Sequence, residues 1–121
     1  MTMNDLKRAC VAMACGVLKN RGHSYSSVYD YKRAKYCLFG VSQSGKNTVT
    51  VFDYDRKAFF QGSAPNYFDY ATSSLIQIRE EGDFMSGYDF QGNQFFSVIF
   101  NEGIISIFDN EFFAYFHYSL I

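Results

Sequence analysis

The chain has 121 residues, among them 14 Phe and 10 Tyr but no Trp and a single Pro, and its formal net charge is −1. That length means one domain, and 48% hydrophobic residues supply one real core, so disorder is excluded; a pI near 6.0 argues against a DNA-coating protein. The near-neutral total hides a split, because residues 1–60 carry ten Lys/Arg against four Asp/Glu and residues 61–121 carry one against eight.

The first 22 residues predict an amphipathic helix. Thr2-x-x-Asp5 has the form of a capping box, and Met3, Leu6, Cys10, Met13 and Val17 recur at three- and four-residue spacing as one apolar stripe. Lys19 and Arg21 suit the negative helix end, and Gly22 supplies the left-handed stop. Ala9, Ala12 and Gly16 are small and lie beside the stripe, so a sheet can approach closely. The apolar run from Ala9 to Leu18 follows Lys7 and Arg8 as in a signal sequence, yet it is too short to span a membrane and short for a signal core. Cys10, Cys15 and Cys37 form an odd set without a CxxC pair, which points to a reducing cytoplasm rather than a disulfide framework.

Residues 23–35 read as a basic, aromatic linker, and residues 36–121 as an antiparallel sheet. The period changes to two, with candidate strands at 36–41, 48–54, 57–61, 75–80, 84–90, 94–101, 104–109 and 112–119. Turn residues such as Glu81-Gly82-Asp83, Gln91-Gly92-Asn93 and Asn101-Glu102-Gly103 separate them, and after Ser74 no room is left for the helical crossover that parallel pairing needs. Ser63 and Pro65 open a break in the series, predicting a loop or a short helix near 64–71. The expected fold is α+β: an N-terminal helix packed on a curved, mainly antiparallel sheet of about five to seven strands, meander-like in its C-terminal half. Phe95, Ile99, Phe112 and Phe116 stand opposite in phase to Phe96, Val98, Phe100, Phe113 and Tyr115, so both sheet faces are apolar. One helix covers one face; the other needs a curled-over hairpin, a second subunit or a partner. The segment Val49-Thr50-Val51-Phe52-Asp53 is echoed by Ile105-Ser106-Ile107-Phe108-Asp109, which reads as shared strand grammar rather than duplication.

Tests for chemistry fail residue by residue. Gly40-Val41-Ser42-Gln43-Ser44-Gly45-Lys46 nearly matches a phosphate-binding loop, but Asn47 replaces the metal-binding hydroxyl and a β-branched strand follows where a helix is required; a hairpin turn is the better reading. Nucleophilic catalysis would have to pair Cys15 or Cys37 with His117, and neither cysteine stands at a helix N-terminus. Two distant histidines and unspaced cysteines give no metal site. The carboxylate groups Asp53/Asp55, Glu80/Glu81/Asp83 and Asp109/Glu111 fall at strand ends, where solvated turn residues are expected. No catalytic residue, metal or cofactor is therefore assigned.

Binding is what remains. The leading expectation is a non-enzymatic protein-binding domain, a homodimer among its expected forms, that docks on a target enzyme as an inhibitor or immunity-type protein of a phage or mobile element would. Its acidic, aromatic half offers Tyr67, Phe68, Asp69, Tyr70, Glu80, Glu81, Asp83 and Tyr88 as contacts. A second reading is single-stranded nucleic-acid binding through Tyr29, Tyr31, Lys32, Arg33, Lys35 and Tyr36, where rings would stack on bases and cations track phosphates. A third is a small ligand held in an aromatic sheet cavity. No membrane association is expected.

Overall fold

The computed structural model describes residues 3–44 and 48–121. Helix α1 (Asp5–Lys19) comes first, followed by ten strands: β1 (Ser27–Asp30), β2 (Lys35–Ser44), β3 (Thr48–Asp53), β4 (Ala58–Ser63), β5 (Asn66–Asp69), β6 (Ser74–Glu81), β7 (Phe84–Asp89), β8 (Gln94–Asn101), β9 (Ile104–Asp109) and β10 (Ala114–Leu120). Each strand pairs antiparallel with its neighbours in the chain, and β1 pairs with β10, so the sheet closes into a barrel without edges. The α+β class with an antiparallel sheet holds. The expected curved sheet of five to seven strands is instead a closed ring of ten, because short strands hidden in both supposed connections complete it.

Those connections account for the miscount. The expected linker at residues 23–35 contains β1, whose Val28 and Asp30 face inward while Tyr29 faces out. The expected helix near 64–71 is instead a tight turn at a cis Ala64-Pro65 bond followed by β5, with Ser63 paired to Asn66. Only four residues long, β5 alternates too briefly to register as a strand in sequence.

Helix α1 runs inside the barrel. Every residue from Lys7 to Leu18 is buried, on all sides of the helix and not along one stripe. A helix apolar all round belongs in a core, and Ala9, Ala12, Ala14 and Gly16 keep it slim enough to pass through a ring of strands. Ten strands leave a wider axis than the eight whose own side chains fill it, and that space is what the helix occupies. At Gly16 a Cβ would lie 2.7 Å from Ile105 Cδ1 and 2.9 Å from Leu120, so the barrel wall closes directly on the helix backbone there. Inward residues of the strands, including Val51, Phe60, Tyr67, Ile76, Ile78, Met85, Val98 and Ile107, complete the core.

The helix ends follow ordinary capping chemistry with one substitution. Asn4 is the N-cap, its side chain accepting from the Lys7 amide at 2.8 Å, while Thr2 of the expected capping box lies outside the described residues. Asn20 closes the C-terminus by donating its backbone and side-chain amides to the Gly16 carbonyl, ahead of Gly22 at φ +91°. The phosphate-loop look-alike lies largely within β2, which pairs with β3 as a hairpin; residues 45–47 are outside the described part.

Candidate functional site

The barrel has two unlike rims. At one, β1–β2, β3–β4, β5–β6, β7–β8 and β9–β10 each turn through four residues, and each loop is closed by an Asp: Asp30 opposite Lys35, Asp53 opposite Ala58, Asp69 opposite Ser74, Asp89 opposite Gln94, and Asp109 opposite Ala114. The fourth loop residue is left-handed in all five, with φ between 52° and 55° at Ala34, Lys57, Ser73, Asn93 and Phe113. The Asp side chain organises the turn that contains this residue. Asp30 accepts from the Lys32 amide at 3.0 Å, Asp53 from Asp55 at 3.0 Å, Asp89 from Gln91 at 3.1 Å and Asp109 from Glu111 at 2.9 Å, whereas Asp69 takes the Thr72 hydroxyl at 2.7 Å.

All five carboxylates point into the barrel and are buried. Four cations meet them. Lys7 and Arg8, in the first turn of the threaded helix, reach Asp89 at 2.9 Å and Asp109 at 3.1 Å. Arg33 pairs with Asp30 at 2.6 Å, and Arg56 bridges Asp53 at 2.7 Å and Asp69 at 2.9 Å. Lys7 is saturated by Ser74 and Gln91 as well, and the Arg8 guanidinium stacks 3.7 Å over the Phe116 ring. Burial works against the charge of Arg56, yet the hydrogen bonds it donates to Asp69 and Asp53 outweigh this and hold its proton more tightly than usual. At the edge of the ring, burial would raise the Asp5 carboxyl, but Lys32 and Arg8 bring it below the ordinary value.

Part of the charge split in the sequence is thus spent inside the molecule. Lys7, Arg8 and Arg56 belong to the basic portion and Asp69, Asp89 and Asp109 to the acidic one; Arg21 and Glu80 make a further pair across the same divide. Expecting Asp53 and Asp109 to be solvated turn residues was therefore incorrect: both are buried ligands of cations, while Asp55 and Glu111 beside them are exposed.

The same five hairpins carry rings on the outside. Residues flanking each Asp point outward by strand alternation, and the residue before it faces an apolar partner across the hairpin: Tyr29 with Tyr36, Phe52 with Phe59, Phe68 with Leu75, Tyr88 with Phe95, and Phe108 with Tyr115. Tyr31, Tyr54, Tyr70, Phe90 and Phe113 add a ring from each loop, and the ring pairs meet edge to face at 4.7–5.4 Å between centroids. The result is a belt of five aromatic clusters around one rim. Much of it is solvent-facing, with Phe95 64% and Phe113 81% exposed. These are the outward apolar residues whose partner the sequence left open; the inward set meets α1.

The residues expected to contact a protein do not form one surface. Tyr67 and Asp69 are buried within the barrel and cannot touch a partner; burial, with Cys15 and Glu80 nearby, pushes the Tyr67 phenol up to about 12. Phe68, Tyr70 and Tyr88 belong to the aromatic belt. Glu80, Glu81 and Asp83 lie at the opposite rim, around the β6–β7 turn, where Glu80 pairs with Arg21 and Glu81 accepts from Ser86. Of the residues expected to contact nucleic acid, Tyr29, Tyr31 and Tyr36 form one belt cluster, but Lys32 is engaged by Asp5 at 2.9 Å and Arg33 by Asp30 and the Cys37 sulfur. Lys35 is exposed and makes no ion pair among the described residues.

Reactive groups are kept apart or enclosed. Cys37 faces the interior and His117 the exterior, so the barrel wall separates the nucleophile and base considered from sequence. His117 Nδ1 lies 2.7 Å from Ser106 Oγ on the outer wall, with no carboxylate hydrogen-bonded to the imidazole among the described residues. Burial pushes the Cys10 and Cys15 thiols far above their ordinary value and raises Cys37 as well. No cluster of His, Cys, Asp and Glu suited to a metal occurs among the described residues, and no helix among them is long and apolar enough to cross a membrane. Comparison with protein-family models, curated proteins and solved structures finds no match.

Proposed function

We propose that the chain is a non-enzymatic docking domain that holds a protein partner through the aromatic belt at its aspartate rim. One observation carries the reading: the large apolar side chains left in solvent are concentrated there in five clusters, while each buried carboxylate behind them is paired with a buried or half-buried cation. Edge-to-face packing already fixes the rings, so docking would cost little side-chain entropy, and exposed Tyr and Phe are the residue types that anchor interfaces. An inhibitor or immunity-type protein bound to an enzyme is the form this function would take. The partner surface must then be apolar and ring-accepting, since the exposed carboxylates of the opposite rim are not continuous with the belt.

The test is capture from the source cell with three proteins: native, the belt variant Phe95→Ser/Phe113→Ser/Tyr115→Ser, and the opposite-rim variant Glu80→Gln/Glu81→Gln/Asp83→Asn. Each substituted ring is at least half exposed, so the belt variant should melt within a few degrees of native. The belt variant is expected to lose its partner by about 30-fold or more in affinity, as removal of interface anchors does. The opposite-rim variant is expected to retain it. Equal capture by native and belt variant overturns the proposal. Light scattering across a concentration series identifies a second copy as the occupant, and oligonucleotide titration at low and high salt identifies nucleic acid by its salt dependence.

A further inference from the structure

Where α1 ends, the barrel is not filled to its mouth. A pocket of about 200 Å³ opens at the rim opposite the aspartates, between the last helical turn and the β8–β9 hairpin. Phe100, Ile104, Ile105 and Leu120 give it an apolar floor and wall, Tyr25 brings a ring with a hydroxyl, and Lys19 stands at the edge. The Lys19 ammonium lies 5.4 Å from the Phe100 ring centroid and makes no ion pair among the described residues. That ring and the carbonyl end of the helix, whose partial negative charge favours a cation, lie beside it. The Gly16 carbonyl is already taken by Asn20.

We infer that this pocket binds a small monocarboxylate with an apolar body, the carboxylate on Lys19 and the hydrocarbon against Phe100, Ile105 and Leu120. Mouths of β-barrels are preferred places for such sites, and an apolar cavity with one charged group at its edge selects an amphiphile of opposite charge. At the ~30 Å³ a water occupies in the liquid, the pocket holds about seven heavy atoms, close to the eight of hexanoate with its carboxylate at the open edge. This site stands apart from the aromatic belt and rests on none of the reasoning about it.

The experiment is an ¹H–¹⁵N titration of the full chain with hexanoate, 1-hexanol and hexylamine, repeated on Lys19→Gln. Lys19 is exposed, so the variant keeps its fold. Hexanoate is expected to bind in the low-millimolar range and to shift amides of residues 100–105 and 19–20, with hexanol about tenfold weaker and hexylamine weaker still. Lys19→Gln should bring hexanoate down to the level of hexanol. The inference is overturned by hexanoate and hexanol binding native protein equally, by shifts centred elsewhere, by an unchanged preference in Lys19→Gln, or by no shifts up to about 20 mM.

Discussion

Replacing Lys7 with Met is expected to remove about 3–5 kcal/mol of folding stability, a large part of the 5–15 kcal/mol typical of a domain. The ammonium is fully buried and, among the described residues, is the one cation on Asp89, whose carboxylate is equally enclosed. Without it an uncompensated charge stays in the barrel, and Ser74 and Gln91 lose a donor as well. Asp89→Asn alone should also destabilise, by stranding the ammonium. The double variant Lys7→Met/Asp89→Asn should be more stable than the sum of the single losses by at least about 1 kcal/mol, because it removes both charges while Asn keeps an acceptor for the Gln91 amide. Urea unfolding of the four proteins measures this coupling. A neutral Lys7→Met would mean that the helix does not bring its first turn to the aspartates.

Val11→Asp is expected to prevent folding. Val11 is fully buried but lies off the stripe formed by Met3, Leu6, Cys10, Met13 and Val17, on a side that a helix packed against one sheet face would leave in water. Inside a closed barrel the new carboxylate has neither solvent nor a cation, and burying an unpaired charge costs several kcal/mol even after relaxation. The control is Ile99→Asp on the outer wall, where the native side chain is 43% exposed and a change within about 1 kcal/mol is expected. Circular dichroism and chemical unfolding of the two variants compare the inside and outside of the barrel directly.

The sequence was most legible where alternation runs long. The strands from Leu75 onward, their antiparallel pairing and the presence of a first helix all follow from hydrophobic period and turn chemistry, and the structure keeps them. What lay beyond reach was closure. It depends on β1 and β5, four residues each, and on whether the helix sits on the sheet or within it. The all-round apolar run from Ala9 to Leu18 held that signal, but a three-and-four stripe can be traced through it as easily as through an amphipathic helix. The buried aspartates were hidden differently. Two of the five hairpin units, at Phe52-Asp53 and Phe108-Asp109, were visible as an echo; Tyr29-Asp30, Phe68-Asp69 and Tyr88-Asp89 repeat the same aromatic–Asp pattern with an apolar residue six positions after the Asp. Uneven spacing between units and varied loop residues obscure the repeat, and an Asp beside a turn looks solvated until the strand alternation is seen to point it inward.

The belt gains its meaning from the same alternation. In sequence, two apolar phases imply a missing layer; in the structure one phase meets a helix and the other forms a ring of half-exposed clusters at a single rim. The side that encloses charge and the side that presents rings are built by the same eight-residue units, so a substitution in a loop touches both stability and the proposed docking surface.

The threaded helix is the central claim, and thiol labelling tests it most directly. Cys10 and Cys15 lie on different sides of α1, and both are fully buried with thiols held protonated well above their usual range. Native protein treated with iodoacetamide is expected to leave both unmodified over hours, whereas protein in denaturant labels both completely, as read by mass spectrometry of the peptides. Labelling of native Cys15 at the rate of a free thiol, with Cys10 protected, would place the helix on one face of a sheet and contradict the barrel-enclosed helix.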